Sequence, residues 1–320
     1  GFGRIGRAVL RQAHGLVIVA INDLADAETL AQLLRYDSTY GPFQGRVTAS
    51  AGSIDVDGRS ITVSAERDPG DIDWRGLGVD LVIESTGRFR ARDDAARHLK
   101  TGARRVLLSA PGKGVDVTIV PGVNDAAFDP ATHEIVSLAS CTTNCVAPMV
   151  KVLHERFGIE RGFMTTIHAY TGDQLLLDGP HKDPRRARSA AVNIVPTTTG
   201  AARVIGQVLP ELAGRLDGVA IRVPVEDGSL TDLSVVLGRA AGVEEINQAF
   251  AEAAEGELSG ILRHSTAPLV SRDIVGDPHS CVFDAPLTQS GGELVKVFGW
   301  YDNELGYATR LVEMARRMGG

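Results

Sequence analysis

A doubly wound α/β domain followed by an α+β domain with a mostly antiparallel sheet is the architecture the sequence predicts, and three observations carry it. Apolar, β-rich runs alternate with helical patterns through the first half. Longer strands alternating apolar and polar residues replace that rhythm in the second half. At 320 residues the chain has room for two domains of about 150 residues.

In chain order, Gly1-x-Gly3-x-x-Gly6 opens a helical run that reaches His14, with Ile5, Val9 and Leu10 on one stripe. Residues 16–21 form a continuous apolar run of the kind a buried parallel strand shows, ending in Asn22-Asp23. Residues 79–84 form another, closed by Ser85-Thr86-Gly87. A polar helix is expected over 92–99, then strands at 105–109 and 115–120. A glycine pattern of this type should follow a strand, and Gly1 stands first, so several residues ahead of it are expected to supply a central strand. In the second half, 218–224 and 230–237 read as half-buried strands, and 243–254 and 305–318 as helices. The stretch 172–196 is long and polar with Arg185, Arg186 and Arg188 at its middle, which reads as a functional loop.

Composition narrows the function classes. With 33 Lys+Arg against 40 Asp+Glu, the formal charge is −7, the wrong sign for a nucleic-acid binder. At 43% hydrophobic residues the chain is too apolar to be disordered. No apolar run nears the ~18 residues of a membrane span, and no signal peptide opens the sequence. Three cysteines, Cys141, Cys145 and Cys281, are too few for a disulfide framework. A cytoplasmic protein is expected, acting on neither membrane nor nucleic acid.

The glycine pattern fits the dinucleotide fingerprint of a Rossmann domain: a tight turn at Gly1, close approach to a pyrophosphate at Gly3, and helix–strand packing at Gly6. The helix start adds free N–H groups and partial positive charge. Asp23, seventeen residues past Gly6, would accept from an adenosine ribose and repel a 2′-phosphate, which favours NAD over NADP.

Ser140-Cys141-Thr142-Thr143-Asn144-Cys145 follows an apolar run. A helix starting near Cys141 would stabilise its thiolate. Residue type alone reads Cys141 equally as a small buried cysteine, and the hydroxyls around it tilt the reading towards a nucleophile. Cys145 stays structural. No second Cys/His pair gives metal-ligand spacing, so no metal is expected. His168 lies in an alternating strand, where a lone histidine reads first as structural. Arg222 is a charge inside an apolar strand and needs a carboxylate or phosphate partner. Thr197-Thr198-Thr199-Gly200 looks like a helix start able to hold an anion.

As a set these residues resemble phosphorylating glyceraldehyde-3-phosphate dehydrogenases, over essentially the whole chain. The resemblance rests on Gly-Phe-Gly-Arg-Ile-Gly-Arg (1–7), Ala-Ser-Cys-Thr-Thr-Asn-Cys (139–145), His-Ala-Tyr-Thr (168–171), Pro-Thr-Thr-Thr-Gly-Ala-Ala (196–202) and Trp-Tyr-Asp-Asn-Glu (300–304). It implies a Rossmann NAD-binding domain over 1–140, with the helix at 304–320 packing back on it, and a catalytic domain over 141–303. Cys141 would be the nucleophile and His168 its base. Gly3, Arg4, Ile5, Asp23, Arg67, Thr86, Gly87, Ser109, Asn303 and Tyr307 would meet NAD. Thr171, Asp173 and Arg222 would hold the phosphate of glyceraldehyde 3-phosphate, and Ser140, Thr142, Arg186, Thr199 and Gly200 the incoming inorganic phosphate. The resemblance further implies a homotetramer whose 172–196 loop lies near a neighbour's cofactor.

The implied chemistry runs through a thiohemiacetal and an acyl thioester on Cys141, which is expected to be largely ionised at neutral pH beside His168. Departures cluster at Val225-Glu226-Asp227-Gly228, at Gly172 before Asp173, and at Gly179-Pro180. Erythrose-4-phosphate dehydrogenase shares the scaffold, but His-Ala-Tyr-Thr and Thr-Thr-Thr-Gly favour the triose enzyme. A cysteine acyl hydrolase built on Cys141, His168 and Asn303 would leave the fingerprint and Asp23 without a task.

Overall fold

The computed structural model describes residues 1–319 and divides into two compact units. One comprises Gly1–Ile119, Ala126–Ala139 and the chain from Ala308 onward; the other comprises Val120–Asp125 and Ser140–Tyr307.

In the first unit, helix α1 (Arg4–Arg11) starts directly from the glycine loop and leads to β1 (Ala20–Asn22) and α2 (Ala27–Arg35). A meander follows: β2 (Val47–Ser50), β3 (Ser53–Val56) and β4 (Arg59–Ser64), which returns parallel to β1. Asp57 and Gly58, at φ +52 and +82, make the β3–β4 turn, the conformation an Asp-Gly pair favours in a two-residue hairpin. Then come β5 (Leu81–Glu84), α3 (Arg92–Lys100), β6 (Arg105–Leu108), β7 (Val117–Thr118) and β8 (Ile135–Ser137), all parallel, in the order β5-β6-β8-β7.

The expected strand at 16–21 is realised only at its end. β4 offers β1 partners from Thr62 opposite Ala20, and Val17 upstream is 77% exposed. Similarly, of 115–120 only Val117–Thr118 pair with β8. β1 and β5 are edge strands of separate four-stranded sheets. A groove of about 640 Å3 is lined by residues of both, with Leu16, Val17 and Ile18 among its apolar walls.

The second unit begins with α4 (Cys141–Phe157), β9 (Ile159–Ala169), β10 (Val195–Thr198), α5 (Ala201–Val208), β11 (Leu216–Val223) and β12 (Ser229–Leu237). α6 (Val243–Glu255), β13 (Leu262–Ser265), the short α7 (Ser271–Ile274), β14 (Cys281–Asp284), β15 (Gln289–Gly291) and β16 (Leu294–Tyr301) complete it, before α8 (Leu305–Gly319). The sheet order is β10-β11-β9-β12-β16-β14-β13. Only β11–β9 and β13–β14 are parallel, so the sheet is mixed but mostly antiparallel. β12 alternates strictly between buried and half-buried residues, the period of a strand with one face on a core. α4 packs on that inner face, burying Cys145, Val146, Met149, Val150 and Leu153.

Candidate active site

In the first unit the cofactor candidates gather at the carboxyl ends of parallel strands, where open α/β sheets bind ligands. Gly6 is required by space, because a Cβ there would lie 2.3 Å from Gly1 O, whereas a Cβ at Gly3 would meet nothing within 4 Å. α1 has no side-chain cap and no acidic residue in its first turn, which suits a pyrophosphate. Asp23, past the end of β1, accepts from Phe2 N at 2.6 Å and Ala25 N at 3.3 Å, so the acid and the glycine loop hold one another. Arg4 is turned to Asp37 at 2.6 Å, with its guanidinium 5.6 Å from the Tyr40 ring centroid. Ser109 N donates to Glu84 O at 3.0 Å, and Ser85 Oγ donates to Gly1 O at 2.8 Å. Ile5 lies in the first turn of α1, and Arg67 lines the groove beside β1.

Sequence reasoning passes over Glu84. Its buried carboxylate accepts from Thr86 N (2.7 Å) and Thr86 Oγ1 (2.5 Å), shaping the turn that leads to Gly87 at φ +70. His98 Nε2 lies 3.2 Å away, and Trp74 Nε1 donates to His98 Nδ1 at 3.0 Å. Burial works to raise the Glu84 pKa, but hydrogen bonds from His98 and Thr86 outweigh it and hold the carboxyl below its usual range. Only the polar ending of an otherwise apolar strand hints at this in the sequence.

In the second unit, α4 presents Cys141 as its first residue. Ser140 caps the helix by accepting from Thr143 N at 3.1 Å, a contact that contributes about 1 kcal/mol. Ala139, just ahead, sits in the left-handed region at φ +55, which costs a non-glycine residue roughly 1–2 kcal/mol. Such strain persists where the surroundings fix a functional turn.

Cys141 Sγ lies 3.5 Å from Nε2 of His168, the penultimate residue of β9. His168 Nδ1 is 2.7 Å from Ala169 O. A carbonyl can only accept, so Nδ1 carries the proton and Nε2 turns its lone pair to the sulfur. Arg222 Nη1 lies 3.2 Å from the same Nδ1, but with Nδ1 protonated its donors go to Ala169 O (3.2 Å) and Thr171 Oγ1 (3.0 Å). The parallel register of β11 on β9 sets Arg222 beside His168.

Tyr301, another residue the sequence reading leaves without a role, meets the His168 ring edge-on at 6.0 Å. Its hydroxyl bridges Thr142 Oγ1 (2.9 Å) and Thr166 Oγ1 (2.7 Å), tying α4 to β9. Tyr301 lies in the quoted 300–304 motif, so the signal was present. Burial pushes the phenols of Tyr301 and Tyr307 well above their ordinary range.

Burial works against the expected ionisation of Cys141 beside His168. Cys141 is half-buried, yet burial around its sulfur pushes the thiol up to about 11, against the downward pull of Arg222. Burial, then Arg222, drives His168 down to about 3. Desolvation penalises a lone charge on either group and so works against the helix start. The 3.5 Å contact sets Sγ and Nε2 so that one proton can pass between them.

Thr171 and Arg222 stand together, and Thr171 Oγ1 donates to Asp173. Asp173 in turn pairs with Arg186 Nη1 at 2.5 Å. Arg222 Nε is buried with no partner among the described residues, which leaves a charged donor for an anion. Arg186 also reaches Thr197 Oγ1 (3.0 Å) and Thr198 O (3.4 Å). Thr199 Oγ1 accepts from Ala201 N (3.1 Å), and Gly200 caps α5 with no side chain. Asn303 is buried, with its Oδ1 accepting from Ser229 Oγ at 2.6 Å.

A Rossmann nucleotide fold in one unit and a cysteine–histidine pair in the other define the class of nicotinamide-dependent oxidoreductases. The comparisons narrow this. Residues 1–92 match the family described as glyceraldehyde 3-phosphate dehydrogenase, NAD binding domain, and residues 140–303 match its C-terminal domain. Glyceraldehyde-3-phosphate dehydrogenase 2 of Streptomyces arenae is 58% identical, covering 100% of this chain and 97% of its own. The Streptomyces coelicolor enzyme is 56% identical over 98% of the chain and 95% of its own, and that of Geobacillus stearothermophilus 54% over the same shares. The chain belongs to the glyceraldehyde-3-phosphate dehydrogenase family.

Proposed function

We propose that the protein oxidises D-glyceraldehyde 3-phosphate to 1,3-bisphosphoglycerate, with NAD as hydride acceptor and inorganic phosphate as co-substrate. The observation that carries this reading is the contact of Cys141 Sγ with His168 Nε2, in one unit with anion sites centred on Arg222 and Arg186.

Cys141 adds its sulfur to the aldehyde carbon while the thiol proton passes to His168 Nε2, and the developing alkoxide is met by the Cys141 N–H at the start of α4. Bound NAD supplies the hydride acceptor. Loss of hydride leaves an acyl thioester on Cys141, which keeps the oxidation energy in a reactive bond. Phosphate then attacks the acyl carbon, the C–S bond breaks, and the sulfur recovers a proton. Thr171, Asp173 and Arg222 hold the substrate's phosphate. Ser140, Thr142, Arg186, Thr199 and Gly200 receive the inorganic one.

Gly3, Arg4, Ile5, Asp23, Arg67, Thr86, Gly87 and Ser109 bind the dinucleotide, with Asn303 and Tyr307 at its nicotinamide end. Residues 1–140 and 304–320 serve the cofactor, and 141–303 the chemistry. A homotetramer is supported by large apolar side chains left on the surface, Phe163 and Val219 on the sheet and Leu177, Val192 and Ile194 in the 172–196 loop. A cytoplasmic location agrees with cysteines that are all free and with the absence, among the described residues, of a helix fit to cross a membrane.

The purified protein should reduce NAD with glyceraldehyde 3-phosphate only when phosphate or arsenate is present, and faster than with erythrose 4-phosphate. Acid release without NAD reduction would instead mark an acyl hydrolase. Arg222→Ala should raise KM for glyceraldehyde 3-phosphate by roughly 10²-fold, the loss of a charge-assisted phosphate contact of about 3 kcal/mol, with a smaller change in kcat. An unchanged KM places the substrate phosphate elsewhere. Asp23→Ala removes the charge that opposes a 2′-phosphate and should improve NADP relative to NAD by about tenfold. A ratio that stays put assigns cofactor choice to another group.

A further inference from the structure

One hydroxyl in the second unit makes two bonds that the catalytic chemistry does not use. Ser229 is fully buried, opens β12 and stands opposite Tyr301 in the β12–β16 register. The turn before it is rigid, because Gly228 sits at φ +83 and a Cβ there would lie 2.2 Å from Ser271 O. Ser229 Oγ accepts from Ala169 N at 3.1 Å and donates to Asn303 Oδ1 at 2.6 Å. The Asn303 backbone is held separately, its N–H reaching Asp227 Oδ1 at 3.3 Å.

A hydroxyl has one hydrogen to give. Ser229 gives it to the carbonyl end of the Asn303 amide, so the NH2 end is left for a ligand. Turning the amide over would set NH2 against the hydroxyl and leave a buried O–H with no acceptor, a costly arrangement. The same serine steadies Ala169, whose carbonyl takes His168 Nδ1–H and Arg222 Nη1. One side chain thus orients the amide and anchors the residue that fixes the catalytic base.

We propose that Ser229 is a positioning residue that makes Asn303 a hydrogen-bond donor towards the carboxamide oxygen of the nicotinamide, and so selects cofactors carrying a carbonyl at that position. The proposal rests on the reading of Asn303 as the nicotinamide contact.

Calorimetric titration of the full chain with NAD, ADP-ribose and the 3-acetylpyridine analogue of NAD tests it. The analogue keeps the carbonyl but lacks the NH2, so the wild type should bind it within about threefold of NAD, whereas an acceptor at Asn303 would lose a hydrogen bond. Ser229→Ala should weaken NAD about tenfold and leave ADP-ribose, which has no nicotinamide, within about twofold. Equal weakening of NAD and ADP-ribose, or of neither, overturns the proposal. Rejection of the analogue by the wild type also overturns it. Should Ser229→Ala fail to fold, Asn303→Asp, an acceptor in place of a donor, must show the same selective loss of NAD, and full NAD affinity in that variant overturns the proposal. ADP-ribose that does not bind the wild type sinks the cofactor reading itself, and the proposal with it.

Discussion

Cys141→Ser is expected to lower aldehyde oxidation by at least roughly 10⁴-fold while leaving NAD affinity within about twofold, because the nucleophile belongs to the chemical step and not to cofactor binding. The geometry gives the expectation its force. His168 Nε2 is 3.5 Å from the sulfur, and the cap on Ser140 holds the first turn of α4 without touching Sγ. Serine should preserve that turn. What it loses is an acidic, polarisable nucleophile: a hydroxyl is far harder to deprotonate than even a thiol pushed up to about 11. An oxygen ester would also hold less of the oxidation energy for transfer to phosphate. Stopped-flow measurement of reduced-nicotinamide absorbance, paired with calorimetric NAD binding, checks both halves. A rate within tenfold of wild type would mean that another group attacks the carbonyl.

The parts of the fold most legible in the sequence are those where one pattern settles both element and burial. β12 alternates without interruption from Ser229 to Leu237, and the glycine loop dictates α1 because Gly6 leaves no space for a Cβ. β1 is less legible. Its apolar run is read as a full strand, but strand length is set by partners, and β4 supplies them only from Thr62. The β2–β3–β4 meander is polar and short, and its one clear signal is Asp57-Gly58.

At the site, residue types and motifs identify Cys141 and His168 as candidates, and the structure brings them within reach of one another. The charge state of the pair does not follow from type or spacing. A helix start and a neighbouring imidazole both argue for a thiolate, and only the packing around Sγ reveals that desolvation opposes them. Glu84, Ser229 and Tyr301 escape notice for a related reason: each acts through a partner distant in sequence.

The second large effect concerns the proton. Wild-type single-turnover hydride transfer should vary little between about pH 6 and pH 9, because the base that takes the thiol proton titrates far below that range. Burial and Arg222 hold His168 at about 3, so the imidazole is neutral and able to accept throughout the window and loses that ability only as pH falls towards its own pKa. In His168→Asn the thiol must lose its proton to water. With the sulfur at about 11, the thiolate fraction then rises tenfold with each pH unit up to that value. The variant should therefore be slower at pH 7 by about 10²–10⁴-fold and should regain about 100-fold between pH 7 and pH 9. A flat wild-type profile beside a climbing His168→Asn profile identifies the imidazole as the group that takes the thiol proton. A wild-type hydride-transfer profile rising in parallel with the variant's would remove His168 from the proton's path.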